Sequence, residues 1–160
     1  MNRDNAPGAA NQQERLDTYL AGFADGEGTF HVAVCRNERL RAGFQLVPEF
    51  HVSQAPERRQ VLDLLEQRLG CGRIRENHRG SRDTTLVFVV RRRQDLLQQV
   101  IPFFEANPLL SSKQQEFVTF ASIVRAIDAG EHLTISGFEA LKAVALTMNG
   151  GGRYRRVHRM

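Results

Sequence analysis

Residues 19–32 read YLAGFADGEGTFHV, and the reading of the fold turns on them. Leu16, Tyr19, Leu20 and Phe23 recur at i, i+3, i+4 and i+7, which predicts one apolar stripe along a short helix beginning near Leu16. Gly26 and Gly28 end it. The period then changes to two, with Phe30, Val32 and Val34 on one face and His31, Ala33, Cys35 and Asn37 on the other. Two carboxylates, Asp25 and Glu27, thus stand where a helix turns into a strand.

Working outward, GFQLVPEFHVSQ continues the alternation: Phe44, Leu46, Phe50 and Val52 oppose Gln45, Val47, Glu49, His51 and Ser53, giving a long hairpin. Pro48 cannot donate to a ladder and belongs at an edge or a bulge. PERRQVLDLLEQRLG predicts a helix with Pro56 in its first turn, an apolar side of Val61, Leu62, Leu64, Leu65 and Leu69, and Gly70 as its stop. A second hairpin pairs GRIREN with TTLVFVVR, in which Leu86, Phe88 and Val90 oppose Thr85, Val87, Val89 and Arg91. Helices finish the chain: QDLLQQVIPFFEAN, ended or bent by Pro102; SSKQQEFVTFASIVRAID, with a Ser cap; and SGFEALKAVALTMNGG, with Ser136 as cap and Glu139 in the capping-box position. The fold class expected is α+β, in the order αββαββα, with a four-stranded antiparallel sheet and C-terminal helices. One sheet face is apolar, whereas the other carries His, Gln, Asn, Glu and Arg.

A chain of 160 residues with 41% hydrophobic residues suits one domain with a sizeable core. The expected boundaries are a flexible tail over 1–13, a domain over 14–150 and a basic tail over 151–160. Cys35 and Cys71 are too few for a disulfide framework and lack metal-ligand spacing, so both read as reduced thiols. No apolar run approaches the ~20 residues that span a bilayer, and the N-terminus lacks a signal-peptide centre. The expectation is an intracellular protein without a membrane partner, in a bacterial cytoplasm or nucleoid or in an organelle. Lys and Arg total 22 against 18 Asp and Glu, a net charge of +4. The arginines cluster at 36–41, 72–82, 91–93 and 153–159, and the guanidinium fork suits phosphate and guanine.

The nine residues Leu20-Ala21-Gly22-Phe23-Ala24-Asp25-Gly26-Glu27-Gly28 resemble the motif that names the LAGLIDADG homing endonucleases. Two hairpins around an amphipathic helix, then IPFF, Lys113 in LLSSKQQEF, and LTISGFEALKAVALTMNGGGRYRR extend the resemblance over almost the whole chain. A calcium loop is excluded because the other acidic positions of an EF-hand are absent. The resemblance implies a site-specific double-strand DNA endonuclease of intron homing, leaving 3′ overhangs. Its single motif implies a homodimer on a pseudo-palindromic target, since each strand needs a carboxylate near its scissile phosphate. Motif helices pack against each other in the family, so Leu20, Ala21, Gly22 and Asp25 are expected at the dimer interface, with Gly26 also small enough for close approach.

By the same resemblance Glu27 is the metal-binding acid and Gly26 offers a carbonyl, with Mg²⁺ as cofactor and Mn²⁺ as its substitute. Gln54, Arg58 and Lys113 match the polar and basic residues that line the pocket of the attacking water. The polar sheet face is expected in the major groove of double-stranded DNA, reading bases with His31, Asn37, Gln45, Glu49, His51, Arg73, Arg75, Asn77 and Arg91. Glu49 is expected to accept from cytosine; Ala33, Cys35, Val47 and Val87 offer apolar contact. Arg39, Arg41, Arg79, Arg82 and the C-terminal arginines are expected on phosphates. Two other readings share these residues: an RNA maturase that binds its host intron RNA, against which the retained Glu27 argues, and a catalytically silent DNA-binding protein.

Overall fold

The computed structural model describes residues 6–78, 80, 82 and 84–151. Helix α1 (Ala6–Glu27) runs directly into strand β1 (Gly28–Arg36), which returns as β2 (Phe44–Gln54). A 3₁₀ turn at Pro56–Arg58 leads into α2 (Arg59–Leu69), followed by β3 (Arg73–Glu76) and β4 (Leu86–Val90). The remainder is helical. α3 (Arg93–Asp95) passes through a π turn at Leu96–Val100 into α4 (Ile101–Ala106), and α5 (Lys113–Asp128) and α6 (Ile135–Gly151) follow. The expected α+β class holds, with a four-stranded antiparallel sheet in the order β1-β2-β4-β3.

The inward residues of the hairpins build the core. Phe30 and Phe50 face each other in register, their rings stacked at 5.0 Å, and Phe104 meets Phe30 edge-on at 5.2 Å. Phe88, Phe120, Leu62, Leu65 and Ile101 are likewise sealed from solvent. Burying each such side chain contributes about 1.5–3 kcal/mol, so the layer between the apolar sheet face and the helices supplies much of the folding drive. α2 ends as its sequence predicts, at Gly70 in the left-handed region (φ 65°), whose N–H reaches the Glu66 carbonyl at 2.9 Å. A half-buried pair locks α1 onto α2: Arg68 grips Asp17 with two hydrogen bonds of 2.6 and 2.8 Å.

Several local expectations change. α1 begins at Ala6 rather than near Leu16, so much of the segment expected to be a tail is helical. Pro7 falls in the first turn, where its missing N–H costs nothing, and Ala, Gln, Glu and Arg are strong helix formers without an apolar stripe. Tyr19, assigned to the buried stripe, is 53% exposed, whereas Leu20, Ala21 and Ala24 face the core. β2 is a central strand, yet its β4 pairing covers only Phe50–Gln54, so Pro48 sits where that flank is open. Pro102 neither ends nor breaks its helix, because the π turn before it places Pro102 in the first turn of α4. Thr134, not Ser136, caps α6: its hydroxyl accepts the Gly137 N–H at 3.1 Å, while Glu139 pairs with Lys142 at 3.0 Å. At α5 the bonding hydroxyl is that of Ser111, which takes the Lys113 N–H at 3.1 Å.

Candidate active site and nucleic-acid interface

Asp25 and Glu27 lie in the last turn of α1, a turn without a basic residue. A helix C-terminus is the negative end of the peptide dipole, so carboxylates there are unfavourable unless other elements compensate. The loop before α5 does so. Asp25 accepts N–H bonds from Leu110 at 3.1 Å and Ser111 at 3.0 Å, and a hydroxyl bond from Ser111. The Ser111 hydroxyl is the main reason its carboxyl is held below the usual range. Lys113 then reaches over the helix end and donates to the Ala24 carbonyl at 3.2 Å. Burial pulls its ammonium pKa down, opposed by the Asp25 and Glu27 carboxylates. Gly28 completes the junction, since a Cβ there would lie 2.6 Å from the same Ala24 carbonyl oxygen.

These elements enclose a pocket of about 330 Å³ lined by Gly26, Glu27, Gly28, Thr29, Phe30, Ser111, Ser112, Lys113, Glu116 and Asn149. Glu27 is the last residue of α1, not a residue beyond it, and is exposed. Of the expected catalytic and metal-binding residues, the pocket brings together Gly26, Glu27 and Lys113. Gln54 and Arg58 lie outside its lining. Gln54 closes β2 two residues past Val52, the register partner of Gly28, and is 8% exposed; Arg58 ends the 3₁₀ turn that follows and is exposed.

Two pocket residues escaped sequence reading. α6 breaks at Met148–Gly150, and Asn149 adopts φ 53°, ψ 48°. From there its N–H reaches both Glu116 oxygens, at 3.3 and 3.2 Å, and its amide donates to the Phe30 carbonyl at 3.0 Å. The one available signal was the Asn-Gly-Gly run, since asparagine is the non-glycine residue that tolerates this conformation best.

Above the pocket the second sheet face presents Thr29, His31, Ala33 and Cys35 from β1 beside His51, Glu49, Val47 and Gln45 from β2, in register. Arg73 and Arg75 of β3 pair with Val89 and Val87 of β4. Val87, expected to touch bases, is only 3% exposed. Glu49, expected as a cytosine acceptor, has both oxygens engaged, with His51 Nδ1 at 3.0 Å and with Arg91 Nε. Burial raises its carboxyl pKa, yet the His51 and Arg91 hydrogen bonds outweigh that and bring it to about 2. Asn37 donates to Gln45 at 3.1 Å, Arg75 to the Glu76 carbonyl at 3.1 Å, and Asn77 to the Thr85 hydroxyl at 3.4 Å. Arg73, Arg39, Arg41 and Arg82 are exposed. Arg79 and the arginines at 153, 155, 156 and 159 lie outside the described residues.

The expected interface residues divide. Leu20, at 0% exposure, and Ala21, at 6%, belong to the chain's own core. Asp25 is occupied by the 110–111 backbone. Gly22 lies on the exposed side of α1 with Tyr19, and among the described residues a Cβ at Gly22 or Gly26 would meet nothing within 4 Å. Elsewhere, burial lifts the Cys71 thiol to about 11. Among the described residues, no helix is long and apolar enough to cross a membrane.

The helices and four-stranded antiparallel sheet match those of solved LAGLIDADG homing endonucleases. Residues 20–124 match the family described as LAGLIDADG endonuclease, and the chain belongs to it. It is 33% identical to DNA endonuclease I-CreI of Chlamydomonas reinhardtii over 100 residues, 62% of this chain and 58% of that one. The homing endonuclease I-TnaI superposes with a TM-score of 0.77 at 38% identity, covering 84% of this chain and 88% of that chain. I-LtrWI, solved bound to target DNA, superposes at 0.82 with 30% identity, covering 87% of this chain and 46% of the other. The chain spans about a quarter of the length of some curated relatives, 25% of a protein encoded in ND4 intron 1 of Podospora anserina for instance.

Proposed function

We propose that this protein is a site-specific, divalent-metal-dependent DNA endonuclease of intron homing that acts as a homodimer. One observation carries the reading: Glu27 stands exposed at the end of α1, in a pocket it shares with Lys113, at the foot of the polar sheet face. Glu27 and the Gly26 carbonyl would hold Mg²⁺, with Mn²⁺ as an alternative. The donors are both oxygens, a carboxylate and a backbone carbonyl on one pocket wall, which suits a hard cation; water and phosphate oxygens would have to complete its shell. Such an ion supplies an activated water and neutralises charge on the phosphate. Lys113 would add positive charge beside the reacting phosphate, its ammonium held at the helix end by the Ala24 carbonyl. Gln54 and Arg58 flank the attacking water from the end of β2.

A duplex has two scissile strands, and this chain has one motif. A glycine inside a helix costs about 1 kcal/mol relative to alanine, and among the described residues nothing lies within 4 Å of a Cβ built at Gly22 or Gly26. A second α1 packed there would give that cost a purpose. The coverage of 88% of I-TnaI against 46% of I-LtrWI supports the same reading, since the longer chain has room for two such units. The dimer would cut a pseudo-palindromic site, leaving short 3′ overhangs, while the sheets read the major groove. To test this, the protein is incubated with a library of randomised duplexes. Recovery of one family of sites, cut on both strands with Mg²⁺ and uncut with chelator, is the expected result; random or absent cutting with Mg²⁺ and Mn²⁺ would overturn it.

A further inference from the structure

We infer that Glu49 is a positioning residue that fixes Arg91 to read a guanine, and is not itself a base reader. The inference rests on the DNA-binding reading above. Glu49 and Arg91 are 42 residues apart in the chain and meet across the sheet, one step past the Phe50–Val90 pair. The Glu49 side chain is 15% exposed, whereas that of Arg91 is 50% exposed. The acid is therefore sunk in the sheet surface while the guanidinium stands above it. Both carboxylate oxygens are spent within the protein, one on Arg91 Nε and one on His51 Nδ1 at 3.0 Å. A cytosine amine approaching Glu49 would have to compete with two bound donors at a half-sunken acceptor.

Which Arg91 nitrogen is engaged matters. Glu49 takes Nε, and among the described residues Nη1 and Nη2 have no protein partner. Those two amino groups form a fork that matches the O6 and N7 acceptors of guanine in the major groove. Tethering Nε fixes the guanidinium plane and lowers the ordering cost of the bidentate contact. His51 is held by the same carboxylate through Nδ1, and among the described residues its Nε2 has no protein partner, which leaves that nitrogen to face DNA. The cluster is thus a preset reader: an arginine fork for guanine with an imidazole nitrogen beside it.

The test is a position-by-position specificity profile of wild type, Glu49→Ala, Arg91→Ala, Arg91→Lys and the Glu49→Ala/Arg91→Ala double variant, with circular dichroism confirming folding. A good bidentate contact discriminates by tenfold or more. Guanine preference at one position should fall at least that far in Arg91→Ala and Arg91→Lys, fall at the same position in Glu49→Ala, and fall no further in the double variant. A lost cytosine preference in Glu49→Ala, at a position different from the one Arg91→Ala affects and additive with it, would show that Glu49 reads a base directly. An unchanged Glu49→Ala profile would likewise overturn the inference while leaving the endonuclease reading intact. Absence of sequence-specific binding by the wild type would instead overturn that reading, and this inference with it.

Discussion

Asp25 and Ser111, 86 residues apart, are joined by a backbone N–H bond of 3.0 Å and by the serine hydroxyl. The bond sets where α5 starts, and with it where Lys113 stands relative to Glu27. The two acids of the motif therefore have different neighbours: Asp25 is turned into the fold to hold a loop, and Glu27 is left open to the pocket.

Asp25→Asn keeps one acceptor oxygen and loses the charge. Stability should fall by about 1–3 kcal/mol, the usual range for disturbing a hydrogen bond to a charged group. Denaturant unfolding measures this, and cleavage should drop as Lys113 loses its position. Asp25→Asn with unchanged stability would mean that the loop holds itself.

Leu20 and Gly22, two residues apart on one helix, should behave oppositely. Leu20→Ala opens a cavity in a fully buried site and should cost roughly 2–5 kcal/mol in unfolding experiments. Gly22 is exposed, and a Cβ there meets nothing within 4 Å among the described residues, so the fold should persist in Gly22→Gln. Light scattering should find wild type near twice 18.1 kDa and Gly22→Gln near 18.1 kDa. A dimeric Gly22→Gln would place the interface elsewhere.

Glu49 sets an acid limit. Its carboxyl has an ordinary value of 4.5 and falls to about 2 in the fold. A lowered carboxylate pKa stabilises the folded state above the ordinary value, and the contribution disappears as pH drops through the folded one. Melting temperatures should therefore decline between about pH 4.5 and 2, less steeply in Glu49→Gln. Equal slopes for both proteins would show that the ion pair with Arg91 contributes nothing to the fold.

The sequence was most legible where one pattern decided one element. Period-two alternation located all four strands, and Pro56 and Gly70 bracketed the helix between them. Legibility failed where a side chain's partner lies far along the chain. Nothing near Asp25 announces the 110–111 backbone, nothing near Glu49 announces Arg91, and nothing near Asn149 announces Glu116. The polar N-terminal half of α1 was missed for a related reason: it buries little, so it has no stripe to read. Tyr19 was assigned inward because helical spacing alone does not say where a stripe's edge falls.

Glu27 tests the account most directly. Once a target has been selected from randomised duplexes, wild type and Glu27→Gln are compared for binding and for Mg²⁺-dependent cutting of that site. The account predicts retained binding with cleavage lost on both strands, because the exposed pocket acid would no longer hold the metal. Cleavage by Glu27→Gln at the wild-type rate would contradict it.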